Sequence, residues 1–215
     1  MAINFTDLIH NSILAQTDYL NSNEFAYLSL TSKNELPFRD KIAFALHQEL
    51  EKEFAVAREY KGTLLKKIDL AILSKNGEPE VLIEFKAVSS IVYTESQEFH
   101  NMMISDLKKC AINGHNNPEI YFIVMANWFP QTVEFKSQKH LKGIVKYLDK
   151  INKHPEFSGM KKRAITSWES FLRRYDMHQK FRCCEFEGGL FENNRINYLV
   201  FINGPFTNNE IAKLK

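Results

Sequence analysis

Two apolar runs joined by Asn76-Gly77 constrain this chain more than any other stretch. They are Ile68-Asp69-Leu70-Ala71-Ile72-Leu73 and Val81-Leu82-Ile83-Glu84-Phe85-Lys86-Ala87-Val88, read as strands over 67–74 and 80–88. Asn-Gly between such runs favours a two-residue type I′ hairpin loop. That loop pairs Lys75 with Glu78 and, carried down the ladder, sets Asp69 opposite Glu84. Glu84 and Lys86 are two apart on one strand and share a face. Facing side chains have Cβ atoms about 4.5–5.5 Å apart, and like charges so placed are destabilising. Two carboxylates there call for a proton or a cation, and a hard divalent ion with oxygen ligands such as Mg²⁺ suits them. Pro79 is the point of tension, because a longer loop slips the register by one and sends Asp69 to the opposite face.

Glu-x-Lys by itself means little in this chain. Glu59-Tyr60-Lys61 and Glu134-Phe135-Lys136 share the spacing, and Asp106-Leu107-Lys108 is its Asp version. Only Glu84-Phe85-Lys86 lies inside an apolar strand with an acid across a tight turn. The bland alternative is an exposed edge whose Glu–Lys pair contributes under about 1 kcal/mol. Leu82, Ile83, Phe85 and Val88 leave little room for a solvated face.

Around this hairpin the chain alternates helical and strand patterns. Residues 6–20 have helical spacing with Thr6 as N-cap, and a polar stretch, Asn21–Glu24, follows. Ser32 and Glu35 have capping-box spacing, Pro37 suits a first turn, and Ile42, Leu46, Leu50 and Phe54 form a stripe. Residues 54–60 alternate as a strand. Thr94 and Gln97 open a helix that runs to Ala111 and stops near Asn113-Gly114. Glu119–Asn127 is apolar on both faces, as in a central strand. Ser137–Lys153 is a basic amphipathic helix, and Thr166 with Glu169 begins another that reaches Arg174. Phe181–Phe186 and Asn197–Ile202 read as strands either side of Gly188-Gly189. The class is α/β, a mixed sheet with an antiparallel meander flanked by helices. At 215 residues the chain fits a single domain, with 1–31 as an N-terminal helical addition.

The net charge of +2 hides a split: residues 136–182 hold 13 Lys and Arg against 4 Asp and Glu. A surface for a polyanion is one reading, and two solvated lysine-rich helices are the other. No apolar stretch approaches the roughly 18 residues of a membrane span. The first residues lack a basic stretch followed by a long apolar one, so no signal peptide is expected. Three cysteines, two of them the adjacent Cys183 and Cys184, make neither a disulfide framework nor a Cys-x-x-Cys site. The expectation is a reduced, soluble, cytoplasmic protein. Histidines are scattered singly, and no Walker loop or GxGxxG occurs. Trp128-Phe129-Pro130 either stacks on a base or caps the core.

The run Asp69 … Glu84-Phe85-Lys86 on strand–turn–strand resembles the PD-(D/E)xK nuclease superfamily, the restriction-endonuclease-like fold. The element order (helix, three-strand meander, helix, strand, helix) is similar over about 32–153, and the strand near 197–202 fits as a later addition. Ile68 stands where the family name has proline, which is not a ligand. The resemblance implies that Asp69 and Glu84 ligate Mg²⁺, or Mn²⁺ in its place, with the backbone carbonyl of Phe85. Lys86 then orients and helps deprotonate the attacking water, or stabilises charge on the phosphate. An acid on the first long helix often joins the metal set in this family; Glu35 is the first choice and Glu49 the runner-up. Lys108 and Lys109, with Lys139, Lys142 and Lys146 in the basic segment, are candidates for holding the DNA backbone. Asp106 reads as solvent-facing, with orientation of Lys86 as its alternative role. The implied activity is Mg²⁺-dependent DNA cleavage of the restriction or phage-defence type. A junction- or end-specific nuclease and a non-catalytic DNA-binding module are the alternatives. Cutting both strands of a palindrome or a junction favours a homodimer.

Overall fold

In the computed structural model, which describes residues 3–32, 34–62, 66–88, 94–114, 116–131 and 157–214, the strand patterns assemble into one mixed sheet. The strands are β1 (Ala55–Lys61), β2 (Lys67–Leu73), β3 (Pro79–Val88), β4 (Glu119–Trp128), β5 (Phe181–Phe186), β6 (Leu190–Phe191), β7 (Asn194–Arg195) and β8 (Asn197–Phe206). Six of them lie in the order β1-β2-β3-β4-β8-β5, and β6 with β7 forms a separate short ribbon. β3 and β4 run parallel, while the other neighbours in the sheet are antiparallel. A parallel pair needs a crossover, and here the connection contains the helix Gln97–Asn113.

Helices cover both faces. On one side lie α1 (Phe5–Leu14), α2 (Thr17–Leu20), α3 (Asn23–Thr31) and α4 (Glu35–Leu50). On the other lie α5 (Gln97–Asn113), α6 (Phe157–Arg174) and the short α7 (Asn208–Ile211). β4 shows why its sequence is apolar throughout: Tyr121, Ile123 and Met125 join the first layer, and Ile120, Phe122, Val124 and Ala126 the second. The N-terminal helices are part of this core, since Ile9, Ile13, Leu20, Phe25 and Leu30 pack in one cluster with Tyr198 and Val200 of β8.

Several helix starts differ from their sequence signals. Asn4, not Thr6, caps α1, its side chain accepting from Asp7 N. α3 was not legible as a helix, yet Ser22 caps it and it runs to Thr31. Ser32 therefore ends α3 and does not form a capping box with Glu35, which is left facing the sheet. Ser96 rather than Thr94 caps α5. Thr166 falls in the middle of α6, which opens nine residues earlier, at Phe157. Where several Ser or Thr residues stand near a helix start, capping strength is similar, and docking on the sheet chooses among them.

The hairpin reaches the expected register by an unexpected route. Leu70, Ala71 and Ile72 face Ile83, Leu82 and Val81, as a two-residue loop requires, but Leu73 faces Pro79. Ser74 N donates to Glu78 O at 2.8 Å and Gly77 N to Ser74 O at 2.9 Å, so the loop is one residue longer. A bulge that leaves Glu80 unpaired restores the register below it. Gly77, at φ +80°, supplies the left-handed residue such a loop needs, and a Cβ there meets nothing within 4 Å. Gly77→Ala is therefore expected to cost about 1 kcal/mol through backbone strain alone. The check is a urea midpoint that falls while the slope of the transition holds.

Candidate active site

The β2–β3 ladder ends at Leu70 and Ile83, while β3 continues alongside β4 to Val88. Among the described residues its last amides on the β2 side have no strand partner, and two carboxylates take them. Phe85 N donates to Asp69 Oδ2 at 2.8 Å, and Ala87 N donates to Glu35 Oε2 at 3.1 Å. In an extended strand the N–H and C=O of one residue point to the same side. The Phe85 carbonyl is accordingly directed to the edge where Asp69 sits. Arg39, only 5% exposed, places NH1 at 3.7 Å from Asp69 Oδ1 and bonds Asp40 through Nε and NH2.

On the face covered by α5 the charges alternate in sign. Lys86 Nζ lies 3.1 Å from Asp106 Oδ2, Asp106 Oδ1 lies 3.5 Å from Lys109 Nζ, and Lys109 Nζ lies 2.6 Å from Glu84 Oε1. That last contact is a close ion pair, and among the described residues Glu84 Oε1 has no further partner. Glu84 is 1% exposed. Burial first, and the negative charge of Asp69 next, push its pKa up to about 8 against the pull of Lys109. Burial works against the charge on Lys86, but Asp106 and Glu35 outweigh it and raise its pKa. Lys109 is raised in the same way, with Glu84 and Asp106 overcoming its burial.

Among the described residues no group of three or more His, Cys, Asp or Glu side chains is gathered as a ready cation cage. The donor set of Asp69, Glu84 and the Phe85 carbonyl nevertheless fits a hard divalent ion that keeps several waters. Glu84 supplies the observation that bears on this fit, as a buried carboxyl group whose pKa is raised first by burial and next by the negative charge of Asp69. Such a group gains most from a second positive charge.

The structure brings Asp69, Glu84, Phe85, Lys86 and Glu35 together at one end of β3. Glu49 is exposed near the far end of α4, so of the two acids on that helix Glu35 is the one at the site. Lys108 and Lys109 both line a groove of about 540 Å³ with Lys66, Asn101 and Ser105, and the Lys109 ammonium also meets Glu84. Lys139, Lys142 and Lys146 lie outside the described residues. Asp106, partly buried at the groove, bridges Lys86 and Lys109. Arg39 was missed, although a signal existed: stepping back from Leu46 and Ile42 by helical spacing lands on Arg39 and Glu35. The stripe thus carries two charges toward the sheet. Phe129 is buried in the core, and Lys161 lies over the Trp128 ring at 5.5 Å. No protein-family model matches the chain, and no curated protein or solved structure matches it either.

Proposed function

We propose that this protein is a Mg²⁺-dependent DNA endonuclease with a restriction-endonuclease-like core. The observation that carries the reading is Glu84, buried against Asp69 with its pKa raised, on the strand that also presents Lys86. The order α4, β1-β2-β3, α5, β4, with β3 and β4 parallel, agrees with that core. Asp69, Glu84 and the Phe85 carbonyl would hold a divalent ion, whose chemistry there would be to activate a water and offset charge on the phosphate. Asp106 and Glu35 keep Lys86 protonated, which favours charge stabilisation on the phosphate over proton abstraction for this residue. Glu35, tied to Ala87 N, positions α4 against the strand end. Lys66 and Lys108 hold the substrate backbone without reading sequence.

The test is incubation of supercoiled plasmid and of a four-way junction with the purified protein in Mg²⁺, Mn²⁺ or EDTA. Cutting is expected with either metal and none in EDTA. Asp69→Ala is expected to lose about 10³-fold or more, the scale of several kcal/mol of charge stabilisation. The preferred substrate separates a restriction-type from a junction-type enzyme. Cutting that survives EDTA or Asp69→Ala overturns the reading. DNA bound in a gel shift but never cut assigns the fold to a binding module instead.

A further inference from the structure

Lys109 stands between two environments. Its ammonium is 2.6 Å from Glu84 Oε1, the carboxylate a divalent ion would take, and 3.5 Å from Asp106 Oδ1. Its side chain also lines the groove of about 540 Å³ shared with Lys66, Lys108, Asn101 and Ser105. Asp106 does not need Lys109 as its sole counter-ion, because Lys86 sits 3.1 Å from its other oxygen. A lysine head on a four-carbon stem reaches several positions from one Cα, and this side chain is 21% exposed, so its exit leads to the groove and not into the core.

We infer that Lys109 is a resident counter-ion of the acidic pair, which a divalent cation displaces from Glu84 into the groove, where it takes a phosphate of the nucleic-acid backbone. The inference rests on the metal-dependent nuclease reading and adds a coupling to it. A divalent ion at Glu84 Oε1 competes with the ammonium that lies 2.6 Å from it, so metal loading and release of Lys109 become one exchange. The released charge joins Lys66 and Lys108, so metal raises affinity for a polyanion, and the polyanion raises affinity for metal by the same factor. The other charged groups facing the exchange are Asp69 and Glu84 on the strands, Asp106 on the same helix, and Lys86.

Calorimetric titration of the full chain with Mg²⁺ and Mn²⁺ reads the competition directly. Lys109→Met is expected to bind metal about tenfold more tightly than the parent, the scale of one charge-assisted contact. Lys109→Arg, which keeps the charge, is not. In the parent protein, amine labelling of Lys109 is expected to rise several-fold on addition of Mg²⁺, with Lys75 in the hairpin loop as the unchanged reference. Gel shifts of duplex DNA in Ca²⁺ against EDTA should show tighter binding with metal for the parent and no such gain for Lys109→Met. Equal or weaker metal affinity in Lys109→Met, with a parent that binds metal and cuts, overturns the exchange and leaves the nuclease reading standing. A parent that binds no metal and cuts nothing overturns both. Should Lys109→Met not fold, the labelling of the parent decides, and a Lys109 signal indifferent to metal overturns the inference.

Discussion

Glu84→Gln is expected to abolish metal-dependent cleavage and, at the same time, to stabilise the metal-free protein at alkaline pH. The two effects come from one carboxyl group. Its pKa in the folded state is about 8, against an ordinary value of 4.5. A pKa raised by folding means that the native state holds the proton more tightly than the unfolded chain does. The stability this contributes is fully present below pH 4.5 and is lost as pH rises through about 8. At about 1.4 kcal/mol per unit, the loss at pH 9 is of the order of 5 kcal/mol. Glutamine has the same shape and no charge to desolvate, so it escapes that loss. Thermal or urea unfolding in EDTA should therefore give curves that converge near pH 4 and diverge by pH 9, with the variant above the parent. Adding Mg²⁺ at pH 9 should restore the parent and leave the variant unmoved. A parent whose stability runs parallel to that of the variant from pH 4 to pH 9 would show that folding does not raise the Glu84 pKa.

Trp168→Ala is expected to cost about 5 kcal/mol, enough to bring a domain of ordinary stability near unfolding. Trp168 is fully buried on α6. Its ring centroid lies 5.3 Å from Phe201, 5.6 Å from Phe99 and 5.8 Å from Phe171, so it joins β8, α5 and its own helix. Its Nε1 donates to Asn203 Oδ1 at 2.8 Å, and Asn203 Nδ2 donates to Phe122 O at 2.8 Å on β4. Alanine removes the ring and leaves a buried amide oxygen without its donor, two penalties that add. Trp168→Phe keeps most of the packing and loses only the donor, so about 1–3 kcal/mol is expected for it. Urea unfolding of the three proteins checks both figures, and a loss below about 1 kcal/mol for the alanine variant contradicts the packing described.

The hairpin was legible because its information is local. Apolar runs either side of Asn76-Gly77 commit the strands, and burial on both faces forbids a slip, since a shift by one exchanges every inward side chain for an outward one. That is why a loop one residue too long is answered by a bulge at Glu80 and not by a changed register. The buried rows on β2 and β3 carry more free energy than the turn does. The placing of Asp69, Glu84 and Lys86 near one end of the hairpin was therefore readable from spacing, as were the alternating α/β pattern and the central strand β4. The helix α3 was not, because its sequence has no clean apolar stripe and its buried residues answer to β8 rather than to helical propensity.

The partners of the charges are another matter. Asp106, Lys109 and Arg39 meet the strand residues only because α5 and α4 dock where they do, and nothing in the spacing within a helix encodes the position of a neighbouring strand. Glu35 and Glu49 stand on one helix as first choice and runner-up, and the end of α4 that lies over β3 separates them. Short-range steric and hydrogen-bonding rules thus settled which residues share a strand, a turn and a face. The alternating ion pairs around Glu84, and the burial that raises its pKa, arise from packing between elements far apart in the chain, because desolvation and Coulomb energy depend on distances that only the folded layers define.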